Sequence, residues 1–195
     1  MGNLHSVYKK LSKFDCQTIV SDEVTALQTA DKIVLPGVGH FGRAMTNLAR
    51  RGLLDALNDC VLVRGKPVLG ICLGMQLMAD RSAEGGARGL GWIGGEVLKF
   101  QTQNPLAFKI PHMGWNQIRK TKPHPLMDGI PELSEFYFVH SFHFTVSDGS
   151  AVLNRSTYEE EFVSAVQKDN IMGVQYHPEK SHDFGDRLLN NFVRI

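Results

Sequence analysis

Gly70-Ile71-Cys72-Leu73-Gly74 sets a cysteine between two glycines, after the run Pro67-Val68-Leu69 and before a helical run, Met75 to Asp80. A strand that turns abruptly into a helix holds its turn residue in a strained backbone conformation with the side chain presented to a site. The flanking glycines give room for that turn. The following helix aims free N–H groups and its positive end at the sulfur, which favours thiolate and an adjacent oxyanion. About three chains in a hundred of this composition would contain G-x-C-x-G by accident, so the reading needs a partnering base.

Working outward, the flanks alternate in type. Leu4 to Lys13 reads as helix, Thr18 to Val20 as the start of a short strand and Lys32 to Leu35 as a buried strand. Phe41 to Arg50 and Leu53 to Val61 read as helices, and Pro67 to Ile71 as the next strand. This alternation predicts an α/β fold with a mostly parallel open sheet and helices on both faces. The second half adds strands at Glu96 to Phe100, Glu135 to Val139, Glu161 to Gln167 and Ile171 to Tyr176. Ser181 to Ile195 closes as a helix with Ser181 or Asp183 near its cap. No linker or repeat divides the chain, so residues 1–195 are expected to form one domain.

Composition excludes several function classes. With 43% hydrophobic and 21% charged residues and a formal net charge of +1, nothing draws the whole chain to nucleic acid or membrane. Three cysteines are too few for a disulfide framework, which points to a reducing cytoplasm. Cys16 and Cys60 sit in apolar-periodic stretches and are expected to be small buried hydrophobes. Met1-Gly2-Asn3-Leu4-His5-Ser6 matches an N-myristoylation pattern, but no polybasic run completes an anchor.

Gly37-Val38-Gly39-His40-Phe41-Gly42 fits G-x-G-x-x-G, yet the acid that should end the next strand and hold a ribose is replaced by Gly70, Ile71 and Cys72. Gly89 to Gly94 fits the same pattern but precedes a strand, so it is punctuation. His140 and His143, three apart in a strand-like run, are expected on opposite faces, which spoils a metal pair. No metal or cofactor is expected. His177 follows the buried-looking run Met172 to Tyr176 and precedes Pro178, which biases it to an extended conformation. Glu179 then projects to the same side and can orient the imidazole. Thiolate, base and carboxylate at the carboxyl ends of strands constitute acyl-transfer chemistry through a thioester, most simply hydrolysis of an amide.

Gly70-Ile71-Cys72-Leu73-Gly74-Met75-Gln76 with His177-Pro178-Glu179 resembles the triad-type (class I) glutamine amidotransferases, whose open sheet is flavodoxin-like. Three further segments, Leu35 to Phe41, Lys109-Ile110-Pro111-His112-Met113-Gly114-Trp115-Asn116 and Tyr137-Phe138-Val139-His140-Ser141-Phe142, are similar to one branch. That branch is the glutaminase subunits of imidazole glycerol phosphate synthase, in histidine biosynthesis, and the similarity runs over essentially the whole chain. The resemblance implies that Cys72 attacks the glutamine amide, His177 protonates departing ammonia and Glu179 orients His177. It implies an oxyanion hole from Leu73 and the Gly37-Val38 peptide, which flanking glycines would let flip. Glutamine would be held by Gly39, Gln76 and the backbone around Ser141 and Phe142. Ammonia would pass to a (β/α)8-barrel cyclase subunit in a heterodimer, with Met113, Trp115 and Asn116 at the interface and His112 and Lys180 beside it. For Trp115, periodicity alone leaves interface anchor and core both open.

Family members begin with a hydrophobic strand ahead of a Gly-Asn-Leu-His-Ser-Val segment, which here is Gly2 to Val7. A first strand is therefore expected to be missing, leaving a vacant lane beside the nucleophile strand and marginal stability. The competing readings are another Cys-His-Glu hydrolase of this fold, such as a γ-glutamyl hydrolase or a sister amidotransferase, a nucleotide-binding module using Gly37 to Gly42, and an inactive partner-binding remnant.

Overall fold

The computed structural model describes residues 4–195; Met1, Gly2 and Asn3, where the myristoylation pattern begins, lie outside the described residues. Helices α1 (Leu4–Leu11) and α2 (Val24–Thr29) precede strand β1 (Ile33–Gly37), followed by α3 (Phe41–Arg50) and α4 (Leu53–Asn58). Strand β2 (Val68–Cys72) runs into α5 (Leu73–Gln76), and short strands β3 (Arg81–Ser82) and β4 (Ala87–Arg88) lead to β5 (Gly95–Lys99). The second half holds β6 (His112–Gln117), β7 (Arg119–Lys120), β8 (Glu135–His140), β9 (Phe142–Val146), β10 (Val152–Tyr158), β11 (Glu160–Lys168) and β12 (Ile171–Val174), and ends in α6 (His182–Arg194).

The main sheet runs β1-β2-β12-β11-β9-β5-β3-β4, with β10 against β11 and β7 against β10. It is mixed. The pairs β1–β2, β2–β12 and β3–β5 are parallel, and the remaining pairs are antiparallel. The parallel pair β1–β2 lies where the sequence alternates helix and strand, because a parallel neighbour needs a crossover, here α3 and α4. All five residues of β2 are buried, as a near-continuous apolar run flanked on both faces requires. One core joins Leu69 and Ile71 of β2 to Val7 and Leu11 of α1 and Leu188, Leu189 and Phe192 of α6. The other joins Val68 to Phe41 of α3 and Leu57 of α4. The helices therefore cover both faces.

Some expectations fail. The strand carrying Cys72 has a neighbour on each side, β1 and β12, so the vacant lane expected beside it is not there. The open side is the outer edge of β1, where no strand pairs among the described residues. Thr18 to Val20 forms no strand, and Ile19 and Val20 are 56% and 52% exposed. A β-prone run with no strand beside it has nothing to hydrogen-bond. The helix expected over Met75 to Asp80 ends at Gln76. The carbonyls of Leu77, Met78 and Ala79 accept instead from the N–H groups of Leu90, Trp92 and Gly91 at 2.7, 2.9 and 3.0 Å. Loop 90–92 thus takes the acceptors that another helical turn would need. Cys16 is exposed, while Cys60 is buried as expected.

Candidate active site

Cys72 ends β2 with φ 55° and ψ −109°, the strained conformation that the sequence predicts. The glycines around it act chiefly by letting backbone approach backbone. A Cβ on Gly70 would lie 2.6 Å from the Met75 nitrogen, and one on Gly74 1.7 Å from the Leu35 carbonyl oxygen. The single-turn helix α5 therefore rests directly on β2 and β1. With only four residues, α5 contributes local N–H groups rather than a long macrodipole. Gly37 stands in register with Cys72, so the loop from Gly37 to Gly39 leaves the sheet beside the sulfur. Gly39 has φ +103°, which a side chain would resist.

His177 follows β12, the strand next to β2, and is held by its backbone. Its N–H donates to the Tyr137 carbonyl at 2.9 Å. Ser181 Oγ donates to the His177 carbonyl at 2.6 Å and accepts from the Tyr137 N–H at 3.0 Å. Ser181 stands at the N-cap of α6, as expected, but its hydroxyl fixes the histidine and makes no side-chain cap bond. His177 Nδ1 donates to Glu179 Oε1 at 2.8 Å, with both side chains fully buried. The imidazole is also hydrogen-bonded to Cys72. Burial alone would lower its pKa, but the bonds to Cys72 and Glu179 outweigh that and push it up to about 9. At neutral pH His177 is therefore an imidazolium beside the sulfur.

Cys72 and His177, with Glu179 buried behind the imidazole, line one cavity of about 380 Å³, a size suited to a small metabolite. Val38, Gly39, Leu73 and Gln76 line it with Cys72 and His177, as do Val139, His140, Ser141 and Phe142. All the expected oxyanion and substrate positions except Gly37 thus border the same space. Gly37 stands one residue back on β1. The G-x-G-x-x-G loop does follow a strand and open a helix, yet it lines the cysteine's cavity.

Three groups in this region escaped the sequence reading. Glu84, in the turn between β3 and β4, lines the cavity and accepts the Phe41 N–H at 2.7 Å. Nothing in Ser82-Ala83-Glu84-Gly85-Gly86 distinguishes it from a surface turn. Gln175 is fully buried, with Nε2 3.6 Å from Cys72 Sγ. A polar residue inside the apolar run Met172 to Tyr176 was the available signal. His140 is buried and donates from Nδ1 to the Phe142 carbonyl at 2.8 Å. Period-two alternation with the buried Phe136 and Phe138 placed it inward. His140 and His143 do not occupy opposite faces of one strand. Ser141 separates β8 from β9, and both rings pack against Phe100. No group of three potential metal ligands occurs among the described residues.

Strands β6 and β8 form an antiparallel ribbon that contributes Val139 and His140 to the cavity wall. On its outer face Met113 is 61% and Trp115 46% exposed, which decides against a core role for Trp115. Trp115 stacks on His182 at 5.0 Å between ring centroids, and Lys180 Nζ lies 5.3 Å over the Tyr137 ring. His112 does not belong to that face. It is 3% exposed on the inner side of β6, where alternation puts it opposite Met113. It joins a chain whose polarity the Phe142 carbonyl fixes, since a carbonyl only accepts. His140 donates to that carbonyl, so His140 Nε2 accepts from His112 Nδ1 at 3.1 Å, and His112 Nε2 accepts from Asn116 Nδ2 at 3.2 Å. Burial lowers the pKa of His112 to about 4 and of His140 to about 3, so both rings stay neutral.

The glutamine amidotransferase class-I family model matches residues 1–195. The chain is 49% identical over 195 residues to imidazole glycerol phosphate synthase subunit HisH 1 of Campylobacter jejuni, covering 100% of this chain and 96% of that protein. It is 46% identical over 194 residues to subunit HisH 2 of Methanococcus maripaludis, covering 100% and 95%. A solved glutamine amidotransferase superposes with TM-score 0.73 at 17% identity over 97% of this chain and 92% of that one. The PurLQS structure from Thermotoga maritima gives 0.70 at 17% identity over 97% and 91%. Those two structures bear on the fold alone. By its sequence over its whole length, this chain belongs to the class I glutamine amidotransferase family.

Proposed function

We propose that this chain is the glutaminase subunit of an imidazole glycerol phosphate synthase, hydrolysing glutamine to glutamate and ammonia. The observation that carries the chemistry is the buried Cys72–His177–Glu179 array opening into a metabolite-sized cavity. The thiolate of Cys72 attacks the side-chain amide carbon, and the oxyanion that forms takes hydrogen bonds from the N–H groups of Leu73 and Val38. Leu73 opens α5, so its N–H has no partner within that helix. Collapse of the adduct breaks the C–N bond, and the imidazolium of His177 gives its proton to the departing ammonia. The neutral imidazole then takes a proton from water as water attacks the thioester. Glutamate leaves and the thiolate–imidazolium pair is restored.

The cavity chemistry fits an amino acid. Both hydrogens of Gln76 Nε2 are engaged, with the Phe142 carbonyl and Gln175 Oε1, each at 2.9 Å. The oxygen of Gln76 remains for the substrate, as an acceptor. With the Glu84 carboxylate on the same cavity, it suits the α-ammonium of glutamine. Gly39 and the backbone at Ser141 and Phe142 complete the grip.

Ammonia released into water is protonated and lost to synthesis. The outer face of the β6–β8 ribbon, with Met113, Trp115 and Lys180, suits a docking partner, and a (β/α)8-barrel cyclase subunit in a heterodimer is the partner proposed. The ring-forming and lyase steps belong to that subunit. No helix among the described residues is long and apolar enough to cross a membrane, and the cytoplasm is the compartment proposed. The test is synthesis of imidazole glycerol phosphate by a cyclase subunit with glutamine as nitrogen source. Synthesis that requires this chain supports the reading. Synthesis supported by ammonium salts but never by glutamine plus this chain overturns it.

A further inference from the structure

Gln175 belongs to the run that delivers Tyr176 and His177, and its N–H extends the strand ladder to the Ser164 carbonyl at 2.9 Å. Its side-chain amide spans two groups, Gln76 at 2.9 Å and the Cys72 sulfur at 3.6 Å. Which end faces the sulfur follows from the Phe142 carbonyl at the far end of the network. That carbonyl only accepts, so Gln76 must turn its NH2 toward it. The second hydrogen of the same NH2 points at Gln175, which must answer with oxygen. The NH2 of Gln175 is left facing the sulfur. Flipping either amide would set like against like in a fully buried place, where a mismatched polar pair is costly.

We propose that Gln175 is a further catalytic residue: its amide NH2 donates to the Cys72 sulfur while its carbonyl holds Gln76 with that residue's oxygen turned to the cavity. A thiolate in a largely buried site needs donors. His177 supplies one but surrenders its proton in each turnover. Gln175 has no proton to transfer, so its donation persists each time the thiolate re-forms. The titratable group against the sulfur is His177, backed by Glu179, from the turn after β12, and His140 from β8 lines the same cavity. Glu84 stands on the wall between β3 and β4, and α5 and the Gly37-to-Gly39 loop bring none.

The consequence for turnover rests on the glutaminase reading; the effect on the sulfur does not. The experiment measures Cys72 alkylation by iodoacetamide against pH in the full chain, for wild type, Gln175→Met and Gln175→Glu. Peptide mass spectrometry separates Cys72 from the exposed Cys16 and the buried Cys60. Methionine removes both bonds, whereas glutamate keeps an acceptor for Gln76 but replaces the NH2 with an oxygen that adds negative charge beside the sulfur. In both variants the pH of half-maximal alkylation is expected to rise by about one unit, with a roughly tenfold slower reaction at pH 7. KM for glutamine rises in Gln175→Met alone, because only there is Gln76 released. Thermal unfolding identifies folded protein, and if the methionine variant does not fold, Gln175→Leu, which removes the same two bonds without adding charge, decides. An alkylation profile unmoved in a folded variant overturns the proposal. Alkylation needs no glutamine, so a wild type that releases no ammonia removes the glutaminase reading while the profile still decides this one.

Discussion

Replacing Glu179 with glutamine isolates what the buried carboxylate does for His177. The side chain keeps its shape, and its carbonyl oxygen can still accept from Nδ1, now 2.8 Å from Glu179 Oε1. The charge is gone. Burial, the largest influence on His177, pulls its pKa down, and the bond to Cys72 and a neutral acceptor in place of the carboxylate are left to oppose it. With the wild-type pKa pushed up to about 9, about three quarters of the imidazoles hold their proton at pH 8.5. If Glu179→Gln returns His177 to its ordinary value, about one in a hundred does. Ammonia departure needs that proton, so kcat/KM should fall about 75-fold at pH 8.5 from this effect alone. At pH 6 both proteins are mostly protonated, and the deficit that remains measures lost orientation. The assay is glutamate formation by coupled dehydrogenase, across pH 6 to 9.5, with the cyclase subunit present in excess. A deficit equal at every pH, or an alkaline limb still near pH 9 in the variant, would refute the reasoning.

The raised pKa of His177 also links stability to pH. The stabilisation of its protonated form is complete below the ordinary value of 6.5 and lost as pH rises through about 9. Denaturation midpoints should therefore drop from pH 7 to 9.5 in wild type and change less in Glu179→Gln; equal slopes would count against the shift. Gly74→Ala places a Cβ 1.7 Å from the Leu35 oxygen, against open space for Gly149→Ala. The first should cost at least about 3 kcal/mol and lower Tm by roughly 6–12 °C, the second almost nothing. Matching melts would show that α5 does not rest on β1 as described. Trp115→Ala should weaken partner binding at least about 30-fold in calorimetric titration, with unassisted turnover unchanged. Unaltered affinity would move the interface elsewhere.

What the sequence made legible here is what lies close along the chain. The nucleophile turn needs only Gly70 to Gly74, and the base with its carboxylate needs only His177 to Glu179. Their local spacing sets their geometry, and the structure holds Cys72 strained at a strand end and His177 Nδ1 on Glu179. The rest of the site is assembled across the fold. Glu84 arrives from a hairpin turn, and His140 from a ribbon whose partner strand begins at His112, 28 residues earlier. Gln175 and His140 carried a usable signal, a polar side chain in the inward phase of an apolar strand. Glu84 carried none. The failed elements have the same origin. Thr18 to Val20 has strand-forming side chains but no neighbour, and the helix after Cys72 is cut short by carbonyls that loop 90–92 takes. Neither effect is written in its own segment.

The most direct test of the account is the yield of glutamate and ammonia from glutamine, with the cyclase subunit present, in wild type and Cys72→Ala. The account predicts equal amounts of the two products from wild type. It predicts loss to background in Cys72→Ala, in protein whose melting profile shows that it is folded. Ammonia released at the wild-type rate by folded Cys72→Ala would contradict the claim that this sulfur opens the amide.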